Sequence, residues 1–393
     1  MKPASVLRSR TINNIERITG KATGKAIVLI PFFDATQQYQ QLKKEIDAEI
    51  AGVFRNGRFI LGPQVEAFEA EFAAYCDARF AVGLASGTEA IALALAACDI
   101  GPGDEVITAA NTSVFTALAI SMVGAQPRFA DIDPSTYTLD PYQLEASLSP
   151  RTRAIIPVHL YGQPADMTSI VAVARQHSLY IVEDACQAHG AKYRGQRVGS
   201  IGHLGAFSFY PTKNLGAYGD GGVAVTSDAA LAEKLRWLRD GGRADRYRHV
   251  VRGYNSRLDE IHAAVLRVKL RYLDEWNESR RALAALYSRT LEDTSVMIPV
   301  EASYAEHVYH LYVIRSRARD ALHGYLADCG IQTHMHYPIP VHLQPAFAGL
   351  GYPSGSFPES ERACDEVLSL PMFPELREEQ VAMVCETLKR WSA

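Results

Sequence analysis

Lys213 has the position expected of a lysine that bonds covalently to a carbonyl compound. It lies in the segment SFYPTKNL, residues 208–215, just past the carboxyl end of a predicted buried strand. In open α/β sheets, ligands bind at such strand ends. A lysine forms a Schiff base when its surroundings are apolar and hold a cofactor. The alternative is a solvated loop lysine, the usual state of this residue type.

A second apolar strand ends in two carboxylates, Glu183 and Asp184, in the segment YIVED. A buried carboxylate is unfavourable unless a partner compensates its charge. A protonated pyridine nitrogen is one such partner, and this pairing makes pyridoxal 5′-phosphate (PLP) an effective electron sink. The alternative roles for an acid at a strand end are a metal ligand and a helix cap.

Gly87 and Thr88 open a predicted helix, residues 90–97, that could hold a phosphate. Free backbone N–H groups and a hydroxyl at the amino end of a helix bind phosphate well. An ordinary N-cap is the alternative. The chain contains no G-x-x-x-x-G-K-[ST] motif. Its glycine-rich stretch, residues 216–222, precedes a strand rather than a helix, which makes it a poor dinucleotide-binding motif.

The pattern of apolar residues indicates the elements that position these segments. Short apolar strands alternate with helices, which implies a mostly parallel sheet covered by helices on both faces. Ser256 and Asp259 resemble a capping box that opens a long helix. A second unit follows, with a strand-like segment at 307–314 and a helix at 320–330. The predicted strands of the sheet are 105–108, 128–132, 154–158, 180–182, 206–209 and 223–226.

We divide the chain into a tail (1–28), a large domain (29–275) and a smaller C-terminal α+β domain (276–393). The tail is rich in basic residues and has little apolar periodicity. We predict that it is mobile, and a basic interaction arm is the alternative.

Composition narrows the class of protein. The 393 residues are 48% hydrophobic and 21% charged, as in ordinary globular proteins, and the formal net charge is -4. This balance gives no bulk attraction to nucleic acid or acidic lipid. The six cysteines include no C-x-x-C pair, so we expect free thiols in the cytoplasm. The early apolar stretch 26–30 is too short to span a membrane.

Together, these segments resemble the DegT/DnrJ/StrS family of PLP-dependent nucleotide-sugar aminotransferases, over residues 30–391. The resemblance implies the fold of the aspartate aminotransferases, PLP-dependent transferase fold type I. It is carried by Gly87-Thr88, VEDACQAHG (182–190), FSFYPTKN (207–214), GYNSRLD (253–259), HYP (336–338) and VHLQ (341–344).

The resemblance implies roles for these residues. Lys213 would form the Schiff base with PLP and then move the proton between substrate and cofactor. Asp184 would hold the pyridine nitrogen, and Gln187 would reach the phenolic oxygen of the ring.

The resemblance also implies a homodimer with shared active sites. Gly87, Thr88 and Ser208 would hold the phosphate of PLP, with Asn255 arriving from a second subunit. The alternative is that Asn255 caps its own turn.

On the substrate side we place His336, Tyr210 and His189, with His336 near the sugar or its diphosphate. A satisfied core position is the alternative for His189. The histidines at 334, 336 and 342 could suggest a metal site, but no cysteine joins them, and we predict no metal. A basic loop could capture the diphosphate or could be a solvated surface; its arginines are Arg243, Arg246, Arg248 and Arg252.

One position departs from the family pattern. Many relatives stack a Trp or Tyr on the PLP ring from the loop after strand 105–108, and Ser113 stands at the matching position. Either Phe115 substitutes for it, or the ring is stacked differently. Some relatives carry a histidine in place of the lysine and are dehydratases, so Lys213 argues against that chemistry.

The predicted function is transfer of an amine from L-glutamate to a nucleotide-linked ketosugar. Residues 159–166 and 187–191 are most similar to relatives that aminate C3 of a dTDP-3-keto-6-deoxyhexose. The alternatives are amination at C4 of a dTDP-, UDP- or GDP-4-keto-6-deoxyhexose and a non-catalytic regulatory protein. Lys213 and Asp184 favour the enzyme.

Overall fold

The computed structural model describes residues 17–19 and 26–391, with side chains from residue 29 onward. Within the predicted tail, β1 (Arg17–Thr19) pairs with β2 (Ala26–Val28) in a short antiparallel ribbon. The rest of the tail, residues 1–16 and 20–25, lies outside the described range, as do residues 392–393. The predicted mobility of the tail and its alternative, an interaction arm, therefore stay predictions.

A seven-stranded sheet forms the centre of the larger domain, in the order β3-β11-β10-β7-β6-β4-β5. Six of its strands run in one direction, and β11 runs against both neighbours. The α/β class is confirmed, and β3 is a strand that the sequence did not indicate. The seven are β3 (Phe80–Leu84), β4 (Glu105–Ala109), β5 (Gln126–Ala130), β6 (Thr152–Ile156), β7 (Tyr180–Asp184), β10 (Leu204–Ser208) and β11 (Gly222–Thr226).

Helices cover both faces of this sheet, so its central strands are nearly continuous runs of buried apolar residues. A small sheet and an antiparallel pair complete the strands: β8 (Lys192–Tyr193), β9 (Gln196–Arg197) and β12 (Ala305–Glu306), then β13 (Tyr312–Arg315) and β14 (Val367–Leu370). The α-helices are α1 (Ala35–Asn56), α2 (Pro63–Tyr75), α3 (Gly87–Ala97), α4 (Val114–Met122), α5 (Leu144–Ser147), α6 (Met167–Gln176), α7 (Ala229–Arg239), α8 (Glu260–Leu270), α9 (Leu273–Leu291), α10 (Arg319–Asp328), α11 (Pro358–Glu366) and α12 (Glu378–Lys389).

Two main hydrophobic cores are present, and α9 contributes to both. Leu273 belongs to the core of the large domain, whereas Tyr287 packs with β13, β14, α10 and α12 in the second core. The proposed boundary near residue 275 therefore falls inside the first turn of α9. Ile30, at the start of the proposed large domain, packs in the second core and bridges to Ile331.

The strand predicted over 307–314 is shorter in the structure, where β13 covers Tyr312–Arg315. The preceding residues bind the large domain instead: the N–H of Val308 donates to Gly162, and that of Leu311 donates to Tyr161. A neighbouring chain segment thus takes the backbone bonds that a longer strand would use.

The capping box predicted at Ser256 and Asp259 is wrong. Helix α8 begins at Glu260, and the Asp259 side chain makes no capping bond. Ser256 Oγ instead donates to Glu89 at 2.7 Å. The buried Glu260 carboxylate caps a different helix, because it accepts from the first N–H groups of α2, including that of Val65.

Candidate active site

The carboxyl ends of β7 and β10 meet the first turn of α3 at one edge of the sheet. β7 and β10 are parallel neighbours, with Ala206 opposite Asp184. A Cβ atom at Gly87 would lie 2.5 Å from Cβ of Ser208 and 2.9 Å from Sγ of Cys186. Only glycine lets α3 begin this close to two strand ends. The fold thereby gathers the predicted phosphate cradle and Asp184 in one place.

The first turn of α3 can bind an anion and is also capped. Ser86 Oγ accepts from the N–H of Glu89 at 3.2 Å, an ordinary N-cap. Within the described chain, the N–H groups of Gly87 and Thr88 have no acceptor. Free N–H groups at a helix amino end attract phosphate. The N-cap and the phosphate site, which the sequence left as alternatives, are therefore compatible. The N-cap uses the N–H of Glu89, and a phosphate would use those of Gly87 and Thr88.

Asp184 is a buried carboxylate that forms no direct ion pair among the described residues. It is 5% exposed. It accepts from Thr116 Oγ1 at 2.7 Å and from the N–H of Cys186 at 3.2 Å. Among residues 29–391, no lysine, arginine or histidine forms an ion pair with it. Both bonded donors are neutral, and Lys213 interacts with Asp184 only through its charge, whereas the protonated ring nitrogen of PLP would be a direct ionic partner. The site fits the cofactor in this respect.

Lys213 lies in a tight turn after β10, where its N–H donates to the carbonyl of Tyr210 at 2.9 Å. Burial lowers the pKa of Lys213, and the nearby Cys186 and Asp184 oppose that shift. A lowered pKa leaves more of the amine unprotonated, which is the form that bonds to a carbonyl carbon. This environment differs from that of a solvated loop lysine.

Two buried imidazoles and a partly buried one, His336, lie near Lys213. Burial lowers the pKa of His189 to about 3 and that of His336 to about 4, and Lys213 contributes in the same direction. Burial also lowers the pKa of His310 well below its ordinary value. All three are neutral near pH 7, so they add no positive charge that would compete for Asp184.

Gln187 lies on the same side of the sheet, held by two tyrosines. Its Oε1 accepts from the N–H of Tyr161 at 2.8 Å, and its Nε2 donates to the hydroxyl of Tyr337 at 3.1 Å. The hydroxyl of Tyr161 donates to the carbonyl of His336. Neither tyrosine was predicted as a site residue, although Tyr337 lies inside the HYP motif at residues 336–338.

Tyr337, rather than Phe115, is the aromatic residue beside Ser113. Burial raises the pKa of Tyr337, and hydrogen bonds from Ser113 and Gln187 oppose that shift. Phe115 is 58% exposed at the start of α4. Thr116, in the first turn of α4, faces Asp184 and bonds to it, whereas Phe115, one residue earlier, is rotated away from it.

The other predicted substrate residues lie in different environments. His336 Nδ1 is 2.9 Å from Ser369 Oγ, and its ring stacks on Phe32 at 5.8 Å. Tyr210 is 52% exposed beside Lys213. His189 is fully buried, with its ring 5.4 Å from that of Phe207. Neither ring nitrogen has a hydrogen-bond partner among the described residues, so His189 packs in the core without being the satisfied residue of the alternative.

The three histidines of the C-terminal unit serve separate purposes. His342 Nε2 bonds to Glu361 at 3.0 Å, and His334 packs edge-on against Phe32. In the described part of the chain, no cluster of histidines, cysteines and acids is arranged to hold a metal ion.

Asn255 is exposed, and its backbone bridges to Asp240. The neighbouring Ser256 accepts from the N–H of Ala85 at 3.2 Å and thus packs on the start of α3 in its own chain. Asn255 therefore lies close in sequence to a residue that contacts the phosphate cradle of its own chain. The predicted contact of Asn255 with the cradle of a second subunit stays a prediction.

Glu183, the neighbour of Asp184, is fully buried and fully bonded. Its oxygens accept from the N–H groups of Gly199, Ile201 and Gly202 at 2.6–2.7 Å. His159 Nε2 lies 3.0 Å away, while His159 Nδ1 accepts from the N–H of Ala165. His159 therefore donates through Nε2, as a satisfied core residue.

The fold and the sheet-edge site define an aminotransferase, and comparison with known proteins supplies its family. The chain belongs to the DegT/DnrJ/EryC1/StrS aminotransferase family, whose sequence profile matches residues 40–389. The predicted family and enzyme class are confirmed. PLP is confirmed as the cofactor at the level of the family, in which solved PLP and PMP forms are known.

Individual relatives cover nearly the whole chain. A Geobacillus stearothermophilus protein named "Pleiotropic regulatory protein" is 52% identical over 91% of this chain and 97% of its own. A Streptomyces venezuelae protein named "dTDP-3-amino-3,4,6-trideoxy-alpha-D-glucose transaminase" is 49% identical over 92% and 96%. The crystal structure of S. venezuelae DesV with a ketimine intermediate has a TM-score of 0.91 and 49% identity, over 92% of this chain and 98% of that chain.

Across the described residues, none of the helices combines the length and the apolar character that crossing a membrane requires.

Proposed function

We propose that this sugar aminotransferase converts a dTDP-linked 3-keto-6-deoxyhexose to the 3-amino sugar, with L-glutamate as the amine donor. The observation that carries the chemistry is the proximity of Lys213, whose pKa burial lowers, to Asp184, a buried carboxylate that forms no ion pair with a basic side chain among the described residues. The name of the S. venezuelae relative supports C3 and dTDP.

PLP is the cofactor, and the residues at the sheet edge fit it. The N–H groups of Gly87 and Thr88 and the hydroxyl of Ser208 would hold the phosphate. The Asp184 carboxylate would keep the ring nitrogen protonated, and Lys213 Nζ would be the amine that holds the carbonyl carbon. When bound, the cofactor supplies an electron sink for the charge that develops on the substrate carbon.

Lys213 moves the proton in both half-reactions. In the first, L-glutamate gives up its amine and leaves as 2-oxoglutarate, and Lys213 Nζ takes the proton from the α-carbon. In the second, the amine passes to the sugar, and Lys213 returns a proton to C3. Glutamate and keto sugar thus give 2-oxoglutarate and amino sugar, with no net change in water.

A homodimer with shared sites completes the proposal. Asn255 is exposed beside a protruding basic loop, residues 243–252, in which Arg246 and Arg252 are exposed and unpaired among the described residues. An amide and guanidinium groups from a second subunit suit the phosphate of PLP and the sugar diphosphate. We place the enzyme in the cytoplasm, where its six free cysteines stay reduced.

A mixing experiment tests the shared site. Lys213→Ala and Asn255→Ala subunits, each inactive alone, are expected to regain activity when mixed, because some heterodimers contain one intact site. If subunits demonstrably exchange and no activity returns, Asn255 serves the cradle of its own chain.

The regulatory alternative rests on the name of the G. stearothermophilus relative. A regulator has no need of a lysine with a lowered pKa close to a buried acid that forms no ion pair. The test is the visible absorbance of the purified protein: L-glutamate should bleach the yellow band of the PLP form. A band that glutamate leaves unchanged would favour the regulator.

The substrate assignment is tested with glutamate and four keto sugars: the 3-keto and 4-keto 6-deoxyhexoses, each carried on dTDP and on UDP. Mass spectrometry of the products is expected to show a gain of the amine on the dTDP-3-keto sugar first. Faster conversion of a 4-keto sugar would show that C4, and not C3, is the aminated carbon. Faster conversion of the UDP sugars would show that the nucleotide is UDP and not dTDP.

A further inference from the structure

A chain of buried amides joins the turn that carries Lys213 to helix α9. Asn214 donates from Nδ2 to Asn277 Oδ1 at 2.8 Å and to the carbonyl of Val308 at 3.0 Å. Asn277 donates from Nδ2 to the carbonyl of His189 at 2.8 Å. Asn214 and Asn277 are 2% and 5% exposed, so water hardly competes for these bonds.

The partners fix the direction in which each amide faces. The carbonyls of Val308 and His189 only accept, so both Nδ2 groups face them. Asn214 Oδ1 is then an acceptor, and His310 Nδ1, at 3.2 Å, carries the hydrogen. A single donor-to-acceptor direction therefore runs from His310 through both amides to His189, and neither amide can be flipped without losing two bonds.

The backbone at Gly190 is adapted to this contact. Gly190 has φ +88°, in the left-handed region, and a Cβ there would lie 2.7 Å from Asn277 Nδ2. Glycine thus permits α9 to approach the carbonyl of His189. His189 ends the segment that begins with Asp184, so Asn277 holds that segment directly.

The turn itself has few other restraints. The N–H of Lys213 donates to Tyr210, and the N–H of Ala217 donates to Phe209 at 2.8 Å. Lys269 Nζ in α8 also bonds to the carbonyl of Gly216. The paired strands β7 and β10 join the two segments at their first residues, where the N–H of Ala185 donates to Ala206. The amide chain adds a second link, at the far end of the Asp184 segment and inside the Lys213 turn.

We propose that Asn277 is a positioning residue that fixes the spacing between the two segments that hold PLP, residues 184–190 and 208–217. Asn277 does not touch the reacting atoms. It acts by holding the segment of Asp184 and the turn of Lys213 at a fixed distance from each other. Asp184 can then contact the ring nitrogen of a PLP molecule while Lys213 reaches the carbonyl carbon of the same molecule. The inference rests on the roles proposed above for Asp184 and Lys213.

Two variants test this role. Asn277→Ala removes both bonds, and Asn277→Asp can still accept from Asn214 but cannot donate to His189. The readouts are hydrogen–deuterium exchange of residues 184–190 and 208–217 in the apo-protein and, with PLP loaded, kcat and KM for glutamate.

For Asn277→Ala we expect faster exchange in both segments and kcat lower by about tenfold or more at a nearly constant KM, since small misplacements of reacting groups are costly. For Asn277→Asp we expect faster exchange mainly in residues 184–190.

Gln163→Ala is the matched control. Gln163 is a buried amide that accepts from the N–H of Ala302 at 3.0 Å and donates to the carbonyl of Val300 at 2.7 Å, away from the Lys213 turn. The Gln163→Ala variant should have a lower Tm but no faster exchange in either segment. Its kcat should stay within about twofold of that of the unaltered enzyme.

Unchanged exchange in both segments of the Asn277 variants would overturn the proposal, and so would a kcat loss no larger than that of Gln163→Ala. If Asn277→Ala does not fold, the hydrogen–deuterium exchange of Asn277→Asp tests the proposal alone: unchanged exchange in residues 184–190 would overturn it. Borohydride reduction and peptide mapping separate this from a failure of the proposed function, because PLP trapped on another lysine would refute the role of Lys213 whatever the exchange shows.

Discussion

Glu183 and Asp184 are adjacent carboxylates at the end of β7, and they face opposite sides of the strand. Both are buried. Glu183 receives three backbone N–H groups and the imidazole of His159. Asp184 receives one hydroxyl and one N–H, and no basic side chain of the described chain forms an ion pair with it. The protein thus completes the surroundings of one acid and leaves those of the other to a ligand.

This difference separates a structural acid from a functional one without reference to any relative. Buried carboxylates are tolerated when donors satisfy them, and the donors of Glu183 tie together β6, β7 and the loop at 199–202. The incomplete surroundings of Asp184 are useful only when a cationic partner arrives. The comparison therefore predicts opposite effects for substitutions at two neighbouring residues.

The largest effect is expected at Lys213. Lys213→Ala should abolish turnover, because the amine that bonds the cofactor and moves the proton is lost. Borohydride reduction of the unmodified protein should trap PLP on a peptide that contains Lys213. Lys192→Ala, which removes a surface lysine paired with Glu306, should keep its activity; PLP found on another lysine would contradict the assignment.

Asp184→Asn should follow, with a loss of activity of roughly a thousandfold, or about 4 kcal/mol. An amide cannot stabilise a protonated ring nitrogen as a carboxylate does. Some PLP should still bind, because the phosphate cradle is intact. Steady-state kinetics at measured PLP occupancy check this, and activity within twofold of the unaltered enzyme would show that Asp184 has another role.

Glu183→Gln should show the reverse pattern. It weakens a buried carboxylate that accepts four hydrogen bonds, so we expect about 2–4 kcal/mol less stability toward unfolding. Activity per PLP-loaded molecule should stay within about threefold, since Glu183 does not face the cofactor. Urea unfolding and kinetics measure the two effects. A large loss of activity with unchanged stability would remove the distinction between the two acids.

The same contrast extends to His159, which is bonded at both nitrogens, and His189, which has no partner at either within the described residues. Burial holds the folded-state pKa of His189 at about 3, against 6.5 for the free side chain. The unfolded chain therefore binds a proton below pH 6.5 that the folded chain does not, so stability falls as the pH falls from 6.5 toward 3.

His189→Phe should remove that contribution, which is ~2 kcal/mol at pH 5. The ring would still pack beside Phe207. Urea unfolding at pH 7 and pH 5 measures the change: the loss of stability between the two should be smaller in the variant. An identical loss in both proteins would mean that His189 does not set this dependence.

The sequence indicated the strand ends well because the apolar pattern that makes β7 and β10 also shows where they stop. Lys213 and Asp184 follow directly from it. The residues that complete their surroundings were missed, since Thr116 and Asn277 lie 68 and 93 positions from Asp184 and no local pattern marks such contacts.

The capping box at Ser256 failed for the same reason. Its local pattern was correct, but Glu89, distant in sequence, takes the hydroxyl of Ser256. Phe115 is a similar case: it is an aromatic residue near the expected position, yet the turn of α4 that aims Thr116 inward directs Phe115 outward. Local patterns located the site, and long-range contacts decided its details.

The central claim is that Asp184 is kept without a direct ion pair to the protein so that it can hold a protonated ring nitrogen. The most direct measurement is ¹⁵N NMR of the apo-protein reconstituted with PLP labelled at that nitrogen, in the unaltered protein and in Asp184→Asn. The account predicts a protonated nitrogen in the former and an unprotonated one in the latter at neutral pH. An unprotonated nitrogen in the unaltered protein, or the same signal in both, would contradict it.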